Sequence, residues 1–539
     1  MTDSNTPRTP KNIILCSDGT GNRGGKGQGT NVWRLHNYID LNRHKADPAR
    51  PRQLSYYDDG VGTEDIRLLK VLGGAFGWGL SRNIRELYYF LVQNYEPGDN
   101  IFLFGFSRGA FTVRSLAGLI GTCGIIDRTK ATSHEDLNQK VKEVYKAYRR
   151  AHREKNRDIA LEFGRDYCFK NRTIRCVGVW DTVDAIGVPF DELRTVIDRI
   201  FNISFHKHDL GDYVEHGFHA LSIDDERQTF HPVMWNEKES AKVRHDGTLQ
   251  DRRKNSVQQV WFAGVHSNVG GGYPKQGLSY ISLYWMMHKA SGLGLDFEPG
   301  ALEQVRRKAD AMDKLYDSRS GAAFFYRYLP RDIDALCEKN CEDGKARIHF
   351  SVLERIDSQV LDYAPGNFPR NFTLVSTDYL ELPPDPDEAS FERIREKIAS
   401  HRANPECAKL LSDARYWIWP RHYAHILLLL ALAVLVAGAW YLSYHPEYTS
   451  GQKIPWLDTA FGIIGYLPGL LLGFILPDAV LDAARALADY YSLHPWRLVT
   501  AILIFAGLFA YPRLLKCRMT KKFKEYWFHI WPLVYKRRP

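Results

Sequence analysis

The chain has 539 residues, more than the roughly 100–200 of a typical domain or the about 250 of a large α/β unit, so a catalytic-sized unit with an appendage is expected. With 44% hydrophobic, 25% charged and 13% aromatic residues and a mean hydropathy of -0.36, it is neither disordered nor fibrous and on average resembles a soluble chain. The net charge of +9 suits nucleic acid or an anionic membrane surface, so where the excess sits matters more than its size.

Residues 1–11 are polar and Pro-containing, read as a disordered lead without the apolar stretch of a secretory signal. From there to about 375, short β-branched or aromatic runs alternate with helical patterns, which predicts a mostly parallel sheet covered by helices. The predicted strands are NIILCSDG (12–19), QLSYYDDG (53–60), NIFLFGFS (100–107), TIRCVGVWD (173–181), GFHALSID (217–224) and VQQVWFAGV (257–265). Most end in small or acidic residues, and in open α/β sheets sites lie beyond the carboxyl ends of the strands. Within 65–96, SRNIRELYYFLVQNY has helical spacing and is stopped by Pro97 and Gly98. The charged helical stretch 127–165 reads as a solvated cap or insertion. The eight cysteines show no CxxC or Cys/His ligand spacing, so Cys337 and Cys341 read as ordinary thiols and no metal or other cofactor is expected.

After about 375 the character changes. A Pro-rich acidic turn and a charged helix make 376–412 a linker, and 413–512 reads as a set of membrane-associated helices. Its candidate spans are 423–444, 459–477 and 496–512. The first has 22 residues without Asp, Glu, Lys or Arg, about 33 Å of helix against a hydrocarbon core of about 30 Å. The second is interrupted by Gly and Pro, and the third is short for a span. In the tail, 513–539, nine basic residues against Glu525 alone account for +8 of the net +9. Interleaved with Tyr526, Trp527, Phe528, Trp531 and Tyr535, they read as a segment for anionic lipid head groups rather than nucleic acid. Two spans would leave the tail and the catalytic unit on one side of the membrane; three would separate them.

The strongest chemical signal is Gly105-Phe106-Ser107-Arg108-Gly109 between an apolar strand and a helical pattern, the setting of a nucleophile elbow. Its sharp turn exposes the serine, and the Arg108 N–H at the helix start is aimed at an oxyanion. A triad needs an acid and then a histidine further along the chain. His266, just past a late strand and before Gly270-Gly271-Gly272, is the base favoured over His216, His219 and His231. Asp181 and Asp225 each follow a strand between the serine and the histidine, and spacing alone does not choose between them; Asp184 is the weaker acid of its stretch. Gly19, Thr20 and Gly21 after the first strand are candidates for the second oxyanion donor or a substrate-binding turn. Tyr57–Thr63 forms another acidic Gly-rich turn, and no GxxxxGKS or GxxxxGKT pattern supports a nucleotide.

Taken together, LCSDGTGN, YYDDGVGT, GFSRGAFTVRSLAGLIG, VGVWDTVDAIG, HALSIDDER and VWFAGVHSNVGGGYP, followed by IHFSVLERI and YAPGNFP, resemble the α/β-hydrolase domain family that includes the type VI secretion phospholipase effectors. The resemblance covers about 11–370 and implies an α/β-hydrolase catalytic domain over 12–375. It also implies a Ser107, Asp181, His266 triad that cleaves acyl esters of membrane phospholipids. Asn268 departs from the aspartate common in the family. The expected partners are a phospholipid membrane and, for an exported effector, a secretion-system spike or an immunity protein; no nucleic acid is expected. Export of such a protein would need no signal peptide. A membrane-tethered acyltransferase or thioesterase with the same triad, or a non-enzymatic membrane-inserting protein, are the competing functions.

Overall fold

The computed structural model describes residues 9–19, 28–59, 75–154, 156, 158–169, 172–183, 209–245, 248–253, 255–358, 363–376, 388–450 and 478–534. The lead up to residue 8, Thr20, Gly21 and Gly60–Thr63 of the two Gly-rich stretches, Asp184, the second apolar run 459–477 and Tyr535 lie outside them.

Eight parallel strands form the main sheet: β1 Asn12–Ser17, β2 Gln53–Asp58, β3 Asn100–Phe106, β4 Ile174–Trp180, β5 Val214–Ser222, β6 Val257–Phe262, β7 Ala346–His349 and β8 Phe372–Val375. Their spatial order is β2-β1-β3-β4-β5-β6-β7-β8. The chain steps outward from β1 to β2 and then crosses back to β3, so the order reverses beside β1. Parallel register holds the carboxyl ends of the central strands level: Ser17 lies beside Gly105, Phe106 beside Trp180, Trp180 beside Ala220, and Ser222 beside Phe262. Side chains that follow β1, β3, β4, β5 and β6 therefore leave the sheet along one edge, at the reversal where open sheets bind ligands.

The central strands read as nearly unbroken apolar runs because both of their faces are covered. Ile13, Leu15, Ile101, Leu103 and Val177 face a cluster built with helices α1 Ala75–Asn94, α2 Arg108–Cys123 and α3 His134–Arg153. Ile14, Cys16, Phe102, Phe104 and Trp180 face the other side, under Trp285 and Ile281 of helix Gly277–Ser291. The stretch 127–165 is thus no solvated cap. Despite its charge, α3 buries Leu137, Val141, Val144, Tyr145 and Tyr148 at helical spacing, so its charges occupy only the outer face.

The C-terminal region departs further from expectation. Helix α4 Ile418–Tyr444 leaves the body built on the sheet, and α5 Pro495–Val534 returns to it and packs along α4. Two helical stretches among the described residues, Pro405–Tyr444 and Pro495–Trp531, are long and apolar enough to cross a membrane, by length and composition only; 17% and 11% of their most apolar windows are buried. The boundary expected at 513 falls inside α5, where the short third run continues into the basic segment as one helix. Nor do most of the described tail aromatics face outward; Phe528 is 37% exposed, but three others are not. Tyr526, Trp527, Ile530 and Trp531 are buried in a third cluster with Trp261, Ile348 and Leu353. The indole N–H groups of Trp527 and Trp531 donate to the Pro365 carbonyl at 3.0 Å and to Asp357 at 2.6 Å. Burying a large aromatic whose polar atom is satisfied outweighs leaving it at a wet interface, so these rings dock the helix.

Candidate active site

Ser107 stands at the reversal of the sheet, between the end of β3 and the start of α2, with φ 57° and ψ -122°. Among the described residues only Ser107, Asp181 and Asn255 are non-glycine with positive φ. Two of the three meet at this site, and such conformations cost roughly 1–3 kcal/mol each, so they persist only where the surroundings enforce them. The two flanking glycines are steric requirements. A Cβ on Gly105 would stand 2.5 Å from the Gly109 carbonyl oxygen, and one on Gly109 would stand 2.1 Å from the Ser17 carbonyl oxygen of β1. The elbow packs backbone on backbone, and no side chain fits between.

His266 opens a short helix, His266–Gly270, just after β6. Its Nε2 lies 2.8 Å from Ser107 Oγ and its Nδ1 lies 2.6 Å from Asp181 Oδ2. That pattern assigns the ring proton to Nδ1 and leaves the Nε2 lone pair toward the serine hydroxyl. Phe106 and Phe230 hold the ring, with centroids at 4.7 Å and 5.1 Å. Burial lowers the imidazole pKa, outweighing the opposing pull of Asp181, so the neutral form that accepts a proton is favoured.

Asp181 is fully buried. It accepts Arg331 Nη1–H at 2.6 Å, Arg331 Nη2–H at 2.8 Å and the Ser222 backbone N–H at 2.9 Å. Burial alone would raise its pKa, but the Arg331 charge and the hydrogen bonds from Arg331 and His266 hold it well below the usual carboxylate range. Arg331 is itself fully buried and also donates to the carbonyls of Ser222 and Phe230, both at 2.6 Å. Sequence reading missed Arg331. It lies 150 positions from Asp181, in a loop with no motif, and only the fold brings the two together.

Asp225 follows β5 but does not touch the imidazole. It accepts the His266 backbone N–H at 3.1 Å and pairs with Arg227 at 2.7 Å, so it fixes where His266 begins its helix. The rival histidines are also accounted for. His219, inside β5, accepts the Thr182 N–H at 3.1 Å and so braces the turn after Asp181. His231 pairs with the Leu329 carbonyl at 3.0 Å, and His216 is half-buried on β5 beside Cys176 of β4. Asn268 uses chemistry an aspartate lacks, since its amide donates to the Lys314 carbonyl at 3.1 Å while its oxygen accepts the Tyr316 N–H at 3.2 Å.

Ser107 and His266 open into a pocket of about 220 Å³, lined also by Gly19, Arg108, Arg227, Phe230 and Tyr326. Arg108 is the first residue of α2, directly after Ser107. The Gly19 N–H donates to Asp18 Oδ1 at 2.6 Å, so this amide is engaged by its neighbour's carboxylate. Among the described residues no group of three or more His, Cys, Asp or Glu could hold a metal ion.

The family model described as T6SS, Phospholipase effector Tle1-like, catalytic domain matches residues 11–289. That span contains Ser107, Asp181, Asp225 and His266 but neither Arg331 nor the apolar helices. The chain is also 30% identical over 244 residues to the uncharacterized protein YEL023C of Saccharomyces cerevisiae. That similarity covers 41% of this chain and 32% of the yeast protein, so the chain spans about a third of the length of this relative.

Proposed function

The chain belongs to the family of Tle1-like phospholipase effector catalytic domains of type VI secretion, and from that membership we propose that it is a serine phospholipase of the α/β-hydrolase fold, held at a membrane by α4 and α5. The observation that carries the proposal is the relay in which His266 stands 2.8 Å from Ser107 and 2.6 Å from Asp181.

In the proposed mechanism Ser107 Oγ attacks an acyl ester carbonyl while His266 Nε2 takes its proton. The tetrahedral oxyanion meets the Arg108 amide at the start of α2, and the second donor is assigned to the stretch after β1 that holds Gly19, Thr20 and Gly21, where the Gly19 amide would have to exchange Asp18 for the oxyanion. His266 then returns the proton to the leaving lysophospholipid oxygen, and water repeats the sequence on the acyl-enzyme. Asp181 holds the imidazole in the required tautomer, and Arg331 keeps Asp181 ionised. Arg108 is among the residues that line the pocket, and its guanidinium stays charged at neutral pH, with its pKa lowered by burial to about 10, which suits a substrate that carries a phosphate near the scissile ester.

The proposed organisation is a catalytic unit over 12–375, a linker over 376–412 and an apolar helical region that continues through α5. Delivery to a target cell, with a secretion-system spike and an immunity protein as partners, follows the family's association with type VI secretion. The test is mass spectrometry of the products released from phosphatidylglycerol and phosphatidylethanolamine vesicles. The parent should release fatty acid and lysophospholipid, and Ser107→Ala should lose activity by a factor on the order of 10⁶. Transfer of the acyl group to an added acceptor without free fatty acid would replace the hydrolase reading with an acyltransferase.

A further inference from the structure

Arg513 and Lys516 follow directly on the uncharged run Leu498–Pro512 of α5. In a membrane these cations mark the level of the head-group phosphates, and a residue one helical turn earlier lies on the hydrocarbon side of them. Phe509 is that residue. Arg513 lies 4.2 Å over its ring, and the ring is 37% exposed.

Phe509 is also the foot of a row of aromatic rings that leads to the serine. It meets Phe324 edge-on at 5.5 Å, and Phe324 lies against Phe325 at 4.0 Å. Phe325 is 40% exposed. The next residue, Tyr326, lines the Ser107 pocket and stands edge-on to Phe230 at 5.4 Å, and Phe230 meets the His266 ring at 5.1 Å.

Phe324 and Phe325 close a single 3-10 turn, Gly321–Phe325, that the proposed chemistry does not use. The turn is tied to the apolar helices on both sides. Arg319 bridges the Tyr326 carbonyl at 3.2 Å and His425 of α4 at 2.9 Å, and Lys516 of α5 pairs with Asp317 at 2.5 Å. A protein partner would have to cover the two rings while leaving the helices beside them in contact with something else. A bilayer covers both at once, because the rings continue the apolar surface of α4 and α5.

We infer that the Gly321–Phe325 turn sits at the head-group and acyl boundary of the leaflet that holds α4 and α5. A phospholipid in that leaflet passes one acyl chain along Phe509, Phe324 and Phe325 to the pocket at Tyr326 without entering bulk water. This deepens the phospholipase reading and rests on it.

Two measurements on the full chain test the inference. In a Ser107→Ala, Cys517→Ser background, Phe325→Cys is labelled with an environment-sensitive fluorophore and reconstituted into phosphatidylglycerol and phosphatidylethanolamine vesicles. Cys517 is the exposed native cysteine, and the other seven are buried or partly buried, so the background protein alone is the blank. The label at 325 should be quenched by lipids brominated on their acyl chains, while one at Lys142→Cys on the outer face of α3 should not. A label at 325 that escapes quenching overturns the inference, whatever the activity.

In the second measurement, Phe325→Asp should lower the ratio of vesicle turnover to short-chain soluble ester turnover roughly tenfold, as expected when a carboxylate replaces a ring at the edge of the hydrocarbon. An unchanged ratio overturns the membrane route. If the parent hydrolyses neither substrate, the phospholipase reading fails, and the label still decides where the turn lies.

Discussion

The catalytic body and the α4–α5 pair meet water in opposite ways. In the body, charged groups are buried and matched: Asp181, Arg331, His266, Asp225 and Arg227 form one connected set beneath the pocket. Along the helix pair large apolar residues face outward, with Val434 71% exposed and Leu503 67% exposed. A buried charge without partners costs several kcal/mol, so the body needs its network complete. An exposed aliphatic row costs little where the surroundings are hydrocarbon, so the pair needs only a fitting solvent. Besides the docked end of α5, the two regions meet near 317–331: Arg421 at the start of α4 clamps Glu226 through two bonds of 2.8 Å, and Arg331 reaches Asp181.

The comparison breaks most severely at the acid. Asp181→Asn keeps the shape but removes the charge that selects the histidine tautomer, and hydrolysis of a soluble ester should fall by about 10⁴. An activity within tenfold of the parent would mean that Asp181 is only part of the packing. Arg331→Met asks whether the network is a unit. It leaves a buried carboxylate without its main counter-charge and should cost about 3–5 kcal/mol in chemical denaturation at pH 7.

The sign of its pH dependence follows from the depressed pKa of Asp181. The stability this carboxylate contributes is full above its unfolded value of about 3.9 and is lost as pH falls through the lower folded value. The gap between parent and Arg331→Met should therefore be widest at neutral pH and close in acid. A gap independent of pH would point to lost packing instead.

Trp527→Ala sharpens the border between the regions. If the indole is core, truncation should cost roughly 3–5 kcal/mol in detergent-solubilised protein; a ring resting on lipid would give no change in the denaturation midpoint. The smallest effect is expected for Arg421→Lys. It trades a two-bond clamp for a single contact and should cost roughly 1–3 kcal/mol, read in the same denaturation assay. A loss of vesicle hydrolysis exceeding that of soluble-ester hydrolysis would tie the clamp to how the body sits on the membrane.

Local sequence carried much of this geometry. The elbow is legible because its needs are local: a serine in a strained turn with glycines two positions away on each side, where backbone meets backbone. Strand ends are legible because an apolar run that stops at a small or acidic residue marks the carboxyl edge of a buried parallel strand, and His266 follows from the same logic. Helix α3 misled because its charge count hid an apolar stripe at helical spacing. The tail misled because aromatic rings among lysines have the same composition whether they rest on lipid or on a protein core.

The sequence by itself determined the elements whose physics is short-ranged: the parallel strands, the Ser107 turn and the long apolar helices with their basic border. The tertiary structure decided what depends on distance across the fold. It put Asp181 on the imidazole and Asp225 on the backbone beside it, brought Arg331 under Asp181, and folded Tyr526, Trp527 and Trp531 into the body. These pairings are worth their energy only once burial has excluded water, and which residues become buried together is a property of the packed chain, not of any segment.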